Sequence, residues 1–377
     1  MKKLIKLCLS FLLLSILSAC ANQQPPVHSL GVSSDGRYVI SAHRGGKLFL
    51  WDIQKKEKKL LAKNAFSYSA YFIPDSHEFM WQDGNNVVHI QNIEGKEILQ
   101  FPHFKTEGQI ISADKSFYLS ADEWGKFYKG YGKNLVPIYT DAPISPSQPY
   151  TFSIIGDKFL SVGNGWDGRN GEVAETKLTA NPVNPDKYKK DSYQGVTLWD
   201  KNTLKPLIRF YGNTLLTTGK ISPDGKWVVT GSTHRGHFMW SIQNPYKRLG
   251  VAKPESGIYN NETKSRDTSK LLPIPQKFEK LQTAKLFEVL SVGFLSDKDF
   301  ILIDRDRNAR IHPIYTTGDS WMKTYVDLGD RRGSSQSNLS AGSSPKAGIL
   351  VISQGSGIAV FRYHSATKEL EKIWVAD

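Results

Sequence analysis

Two stretches of the chain share one plan: VHSLGVSSDGRYVISAHRGGKLFLWDI, from Val27 to Ile53, and TTGKISPDGKWVVTGSTHRGHFMWSI, from Thr217 to Ile242. Each reads as a strand, a turn carrying Asp-Gly, an aromatic and β-branched strand, a polar turn, and a third strand that reaches a tryptophan. In both, the tryptophan follows the turn aspartate by sixteen residues, Asp35 to Trp51 and Asp224 to Trp240. Asp-Gly supplies the positive φ of a tight hairpin, and a preceding proline presets the turn. A single small sheet of this kind cannot bury both of its faces, so a chain that repeats it must stack the copies.

With that interval as a ruler, further turns appear at Asp75, Asp114, Asp157, Asp297 and the segment Pro345-Lys346-Ala347-Gly348. Successive spacings from Asp35 are 40, 39, 43, 67, 73 and about 50 residues, which makes seven units, two of them lengthened by insertions. Third strands are recognisable at 86–93, 195–200, 308–314 and 357–363, and the weakest unit lies near GKFYKGYG at 125–132. The segments KWVVTG and GILVIS are apolar on both strand faces, as strands covered on both sides must be. Trp51-Asp52 and Trp199-Asp200 supply the dipeptide that names the WD40 repeat, and the chain resembles that family over residues 27–377. The resemblance implies an all-β fold, a seven-bladed β-propeller with four-stranded antiparallel blades.

Ahead of the repeats, Lys2, Lys3 and Lys6 precede an apolar run from Leu7 to Leu17. This reads as a secretory signal over residues 1–19, too short for a spanning helix. Leu17-Ser18-Ala19-Cys20 resembles the lipobox of bacterial lipoproteins, which implies a lipidated Cys20 and a tether over 20–26. Ala21 follows the cysteine where aspartate marks inner-membrane retention in enteric-type bacteria. The expectation is therefore a periplasm-facing lipoprotein of the bacterial outer membrane. With Cys8 in the signal and Cys20 on lipid, the expected mature chain has no thiol for a disulfide or a thiolate metal site. Losing three signal lysines lowers the net charge from +13 to +10. Such a basic surface invites a nucleic-acid reading, which export argues against.

In a propeller of this type the a–b and c–d turns share one face, and the b–c and d–a loops share the other. The insertions at 164–195 and 251–283 fall in a b–c and a d–a position, so both belong to the second face. Long loops on a rigid scaffold are where binding concentrates. His43, Arg44, Trp124, Trp166, His234, Arg235, Arg305 and Arg307 lie in loops of that face and are the candidate partner-binding residues. The pattern Ser-x-His-Arg-Gly occurs at Ser41–Gly45 and at Ser232–Gly236. The first strand is an innermost one and starts on the same face. A tether of six residues, at ~3.3–3.6 Å each, spans at most about 20 Å. The face with the insertions is thus expected nearest the bilayer, facing a cell-envelope protein partner.

Catalytic signatures are missing from the sequence: it has neither a G-x-S-x-G elbow nor H-E-x-x-H nor a phosphate-cradling glycine loop. Ser365-Ala366-Thr367-Lys368 matches S-x-x-K without its companion motifs. DGRNGE at 167–172 lacks calcium-loop spacing, and the histidines show no metal-ligand spacing, so neither metal nor cofactor is expected. The leading expectation is a non-enzymatic interaction scaffold. The alternatives are a small-ligand-binding propeller and a glycan-directed hydrolase or lyase, the last needing Asp122, Glu123, Asp167 and Asp304 to converge across the channel mouth.

Overall fold

The computed structural model describes residues 25–66, 70–106, 108–122, 127–138, 151–162, 193–211, 216–232, 236–243, 248–250, 258–260, 265–267, 289–304, 307–314, 324–328 and 339–376. Blade one is β1 (Val27–Val32), β2 (Tyr38–His43), β3 (Leu48–Asp52) and β4 (Glu57–Ala62). Blade two is β5 (Tyr71–Phe72), β6 (Glu78–Gln82), β7 (Val87–Asn92) and β8 (Glu97–Pro102). Blade three is β9 (Gly108–Ile111), β10 (Tyr118–Ala121), β11 (Phe127–Lys129) and β12 (Val136–Ile138). Blade four is β13 (Thr151–Ile155), β14 (Lys158–Val162), β15 (Tyr193–Asp200) and β16 (Pro206–Tyr211). Blade five is β17 (Leu216–Ile221), β18 (Trp227–Ser232), β19 (Gly236–Ser241) and β20 (Arg248–Gly250). A two-stranded hairpin follows, β21 (Ile258–Asn260) with β22 (Ser265–Asp267). Blade six is β23 (Val289–Phe294), β24 (Asp299–Asp304), β25 (Asn308–Pro313) and β26 (Thr324–Asp327). Blade seven is β27 (Ala341–Ser344), β28 (Ile349–Gln354), β29 (Gly357–His364) and β30 (Glu369–Ala376). Every blade is an antiparallel meander in chain order, and the described residues contain no helix.

A serine two residues before the turn aspartate explains why the a–b turns are so regular. In blade one the Ser33 hydroxyl donates to Asp35 at 2.6 Å while accepting the Tyr38 N–H, and Asp35 also accepts the Arg37 N–H. Ser112 with Asp114 in blade three and Ser222 with Asp224 in blade five repeat the arrangement. Side chains thus satisfy turn N–H groups that the ladder leaves unpaired. In blade three the hydroxyls of Ser112 and Ser116 hold the Asp114 carboxyl well below the usual carboxylate range.

The apolar cores of the described residues number seven, and each lies between two successive blades. Leu48, Leu50 and Ile40 of blade one meet Phe72, Phe79 and Trp81 of blade two. Ile73, Met80 and Phe101 meet Ile111 and Tyr118 of blade three. The series continues through blades three and four, four and five, five and six, and six and seven. Blade seven then packs Ile349, Val351, Ile358 and Val360 against Val27, Val39, Phe49 and Trp51 of blade one. Each fully buried aliphatic or aromatic side chain contributes about 1.5–3 kcal/mol, whereas an exposed ion pair contributes about 0–1 kcal/mol. The ring is accordingly held by inter-blade packing, and surface charges are secondary.

Each blade takes all four strands from one continuous segment, so the ring closes without strand exchange. Closure rests on the apolar seam, on the Val27 N–H donating to the Gly355 carbonyl at 3.0 Å, and on the Ser344 hydroxyl donating to the Ser34 carbonyl at 2.5 Å. Close approach of the inner strands demands small residues. A Cβ at Gly31 of β1 would sit 2.5 Å from the Tyr71 Cα of blade two.

Candidate functional site: the face at which the first strand enters

The chain reaches the propeller on the face of the b–c and d–a loops. Val27 pairs with His43 at the b–c end of blade one, and its N–H donates to Gly355 in the b–c turn of blade seven. The Pro26 carbonyl accepts the Arg44 N–H at 3.0 Å, and the Pro25 carbonyl accepts from His43 Nδ1 at 3.0 Å. The long connections of blades four and five belong to this face by connectivity. Residues 163–192 join β14 to β15 as a b–c connection, ending three residues before the expected boundary at 195. Residues 251–288 join β20 to β23 as a d–a connection that carries the β21–β22 hairpin and runs five residues past the expected 283.

His43 is fully buried, and a relay of bonds runs through it. The Trp51 Nε1–H donates to the Ser41 hydroxyl at 2.8 Å, and that hydroxyl lies 2.9 Å from His43 Nε2. With Nδ1 protonated and donating to Pro25, every polar atom of the relay is satisfied by a neutral imidazole. Burial pushes the His43 imidazole down to about 4, with Lys58 and Lys47 adding in the same direction. The Pro25 carbonyl opposes that shift by accepting from the ring. His103, after blade two, makes the matching bond to Ser120 of blade three at 2.9 Å, and burial pushes it down to about 4 as well.

The same register position recurs around the ring with different chemistry. Val39 pairs with Trp51, Phe159 with Trp199 and Val228 with Trp240. The residue two beyond, on strand b, is Ser41, Ser161 or Thr230. Trp199 donates to Ser161 at 2.9 Å, repeating blade one. Blade two exchanges the strands: Trp81 on β6 donates to Gln91 on β7 at 3.2 Å. This register also shows that the two Ser-x-His-Arg-Gly copies are offset by two residues, since His43 corresponds to Ser232.

Of the eight candidate residues, His43, Arg44 and Arg307 lie among those described; Trp124, Trp166, His234, Arg235 and Arg305 lie outside them. Arg44 is exposed beside Pro26. Arg307 is 3% exposed and takes a left-handed φ of 65° in the b–c turn of blade six. Its N–H donates to Asp304 and its carbonyl accepts from Leu328, the roles that Gly46 plays in blade one and Asn86 in blade two. Its guanidinium reaches across to blade seven and donates to the Ser353 carbonyl at 2.7 Å, and burial lowers its proton affinity. His43 and Arg307 therefore shape the face from beneath, and Arg44 is presented on it.

Several half-buried rings that sequence reading missed belong to this face. Phe66 follows β4 and donates its N–H to the Gln82 carbonyl. Phe104 follows β8, and its carbonyl accepts from Gln82 Nε2 at 2.7 Å. The Tyr128 ring lies 5.0 Å from the Phe104 ring and its hydroxyl donates to Asp122 at 3.2 Å, while Lys105 lies 5.4 Å over Phe66. For Phe66 and Phe104 the signal in the sequence was an aromatic just after a d strand; Tyr128, on the c strand β11, had none. Of the four carboxylates needed for glycan cleavage, Asp122 and Asp304 are described, on blades three and six. The described residues contain no group of three or more His, Cys, Asp or Glu fit to hold a metal, and no helix long and apolar enough to cross a membrane.

The family model described as WD domain, G-beta repeat matches residues 13–52, which end on Trp51-Asp52 of blade one. No curated protein matches the chain in sequence. Among solved structures, the chain is similar to Hsv2 of Kluyveromyces lactis with its complete loop 6CD, at 9% identity and TM-score 0.53, over 93% of this chain and 98% of that one. It is similar to KlHsv2 with loop 6CD replaced by a Gly-Ser linker, at 8% identity and TM-score 0.56, over 93% and 98%. A chain of the mitotic checkpoint complex aligns at 14% identity and TM-score 0.56, over 94% and 90%. At such identities the likeness is one of fold. Fold, repeat and register agree on a seven-bladed, WD40-like β-propeller.

Proposed function

We propose that this propeller is a lipid-anchored scaffold of the bacterial cell envelope, held at the outer membrane by Cys20 and binding an envelope protein through its tether face. WD40-type propellers are typically interaction scaffolds, and a chain of a checkpoint complex is among the folds similar to this one. The observation that carries the reading is that Pro25 and Pro26 are bonded into the face from which both long connections depart. A partner at the membrane surface would meet the same loops that the tether holds near it. Arg44, with Trp124, Trp166, His234, Arg235 and Arg305 in the loops of that face, supplies the arginine and tryptophan anchors that interfaces favour.

Site-specific photo-crosslinking in cells tests this. Probes at Trp166, Tyr259 and Arg305 are expected to give a discrete protein adduct, and probes at Lys56 and Lys226 on the opposite face none. Adducts from both faces alike, or from neither, would overturn the scaffold reading. Cys20→Ala is expected to move the protein from the membrane to the soluble fraction, and unchanged fractionation would refute the anchor.

A further inference from the structure

We propose that the sector of the tether face formed by blades one to three rests against the lipid bilayer, with Phe66, Phe104 and Tyr128 at headgroup level. This deepens the scaffold reading and rests on Cys20 being the anchor. It moves Arg44 and Trp124, on blades one and three, from the protein partner to lipid, and leaves the partner to the long connections of blades four and five and the loops beside them.

Geometry restricts the orientation first. From Cys20 to Pro25 is five peptide steps, at most about 18 Å at ~3.3–3.6 Å each. The far end of that span is not a swivel. Pro25 is bonded to the buried His43, Pro26 to Arg44, and Val27 to Gly355, so the tether's end is fixed on blade one, at its seam with blade seven. A disc tied so closely by one edge of one face must turn that face, or the rim beside it, toward the surface that holds the anchor.

The rings then choose the sector. Phe66, Phe104 and Tyr128 are half-buried, and none belongs to any of the seven inter-blade cores. They follow one another around blades one, two and three on the loop side, beginning at the seam between blades one and two, where the Phe66 N–H donates to the Gln82 carbonyl. On the opposite face of the same blades, the aromatic residues near the turns, Tyr38 and Tyr131, pack into the cores instead. The exposed groups there are charged, including Lys56, Asp75 and Glu94. Tyrosine and phenylalanine presented beside cations suit a headgroup layer, where one part of the ring is apolar and its surroundings wet. Arg44, Lys63 and Lys105 are exposed on this sector, with stems long enough to lie along the rings while their charges reach the lipid phosphates.

The test uses the full-length acylated protein in vesicles of phosphatidylethanolamine and phosphatidylglycerol. Cys20 is spent on lipid in the mature chain, so one added cysteine is uniquely labelled. An environment-sensitive dye on Lys63→Cys or Lys105→Cys is expected to be quenched several-fold more by headgroup-nitroxide lipid than the same dye on Lys56→Cys or Lys226→Cys. Equal quenching at the four sites, or stronger quenching at Lys56 and Lys226, would overturn the proposal. Acylation by mass and vesicle co-flotation, with Cys20→Ala as control, separate the two readings. Failed co-flotation of the wild type refutes the anchor, whereas co-flotation with uniform quenching refutes the orientation alone. A photo-probe at Lys105 in cells should give a lipid adduct, and a discrete protein adduct there would assign this sector to a protein instead.

Discussion

His43 joins Pro25 to the centre of blade one: Nδ1 bonds the proline carbonyl at 3.0 Å while Nε2 bonds Ser41 at 2.9 Å. The bond ties the segment ahead of β1 to a residue that folds as a neutral imidazole. His43 and His103 both have folded values of about 4, below the ordinary 6.5.

A depressed histidine value means that the unfolded chain binds more protons between about pH 4 and pH 6.5, so stability rises with pH across that window and levels off above it. Each of the two histidines is expected to remove on the order of 2 kcal/mol of stability between pH 7 and pH 5. Urea unfolding at the two pH values measures it. His43→Asn should lose its own share and keep those of His103 and His28, which burial also lowers, and a midpoint unchanged between pH 5 and pH 7 would contradict the buried neutral state.

Ser41 and Ser161 occupy the same register but carry unequal loads. Ser41→Ala strips a partner from both Trp51 Nε1 and His43 Nε2, whereas Ser161→Ala strips one from Trp199. A buried polar group left unsatisfied costs about 1–3 kcal/mol, so Ser41→Ala should destabilise by roughly twice as much as Ser161→Ala. Denaturation of the two variants side by side decides the order; equal losses would mean that the His43 bond is not made.

The turns of the fold were legible because their chemistry is local: a serine, an aspartate and a tight hairpin all lie within a few residues. Blade three was faint because Gly130, at φ 116°, stands where blades one, four and five carry tryptophan, and Tyr131 stacks on Tyr118 in its stead. Blade two was legible from its Asp75 turn and its strand at 86–93 but breaks the sixteen-residue interval, since Gln91 stands there on β7 and the tryptophan, Trp81, lies on β6. The roles of His103 and Arg307 depend on partners 17 and 46 residues away, Ser120 and Ser353, and no local pattern encodes them. Arg307 read as a surface anchor, since a polar loop residue is usually exposed. Its burial follows from the left-handed turn that aims the guanidinium at the neighbouring blade.

Lys368 resolves the S-x-x-K match. Its ammonium lies 2.9 and 2.7 Å from the two carboxylate oxygens of Asp299, a residue 1% exposed, and so ties blade seven to blade six. Lys368→Met would leave that carboxylate buried without its cation, which costs about 3–5 kcal/mol where one partner of a buried pair is removed. The half-open position of Lys368 puts the expected loss at the lower end of that range. The double variant Lys368→Met with Asp299→Leu should recover most of it, and a single variant as stable as wild type would show the pair to be dispensable.

The inner strands set the last test, because two glycines differ in what confines them. At Gly31 a methyl group would come within 2.5 Å of the Tyr71 Cα, backbone that can yield only if blades one and two separate. Gly156, in the a–b turn of blade four, has nothing within 4 Å of that methyl and is confined only by its φ of 53°. Gly156→Ala is expected to cost about 1–2 kcal/mol, the ordinary penalty of a left-handed alanine. Gly31→Ala should cost more than the about 1–3 kcal/mol typical of overpacking, since backbone is displaced rather than a side chain. It should also raise hydrogen exchange selectively in β1 and β5, where the seam between the first two blades opens. If exchange rises evenly around the ring, the blades do not yield pairwise and the seven cores act as one cooperative unit.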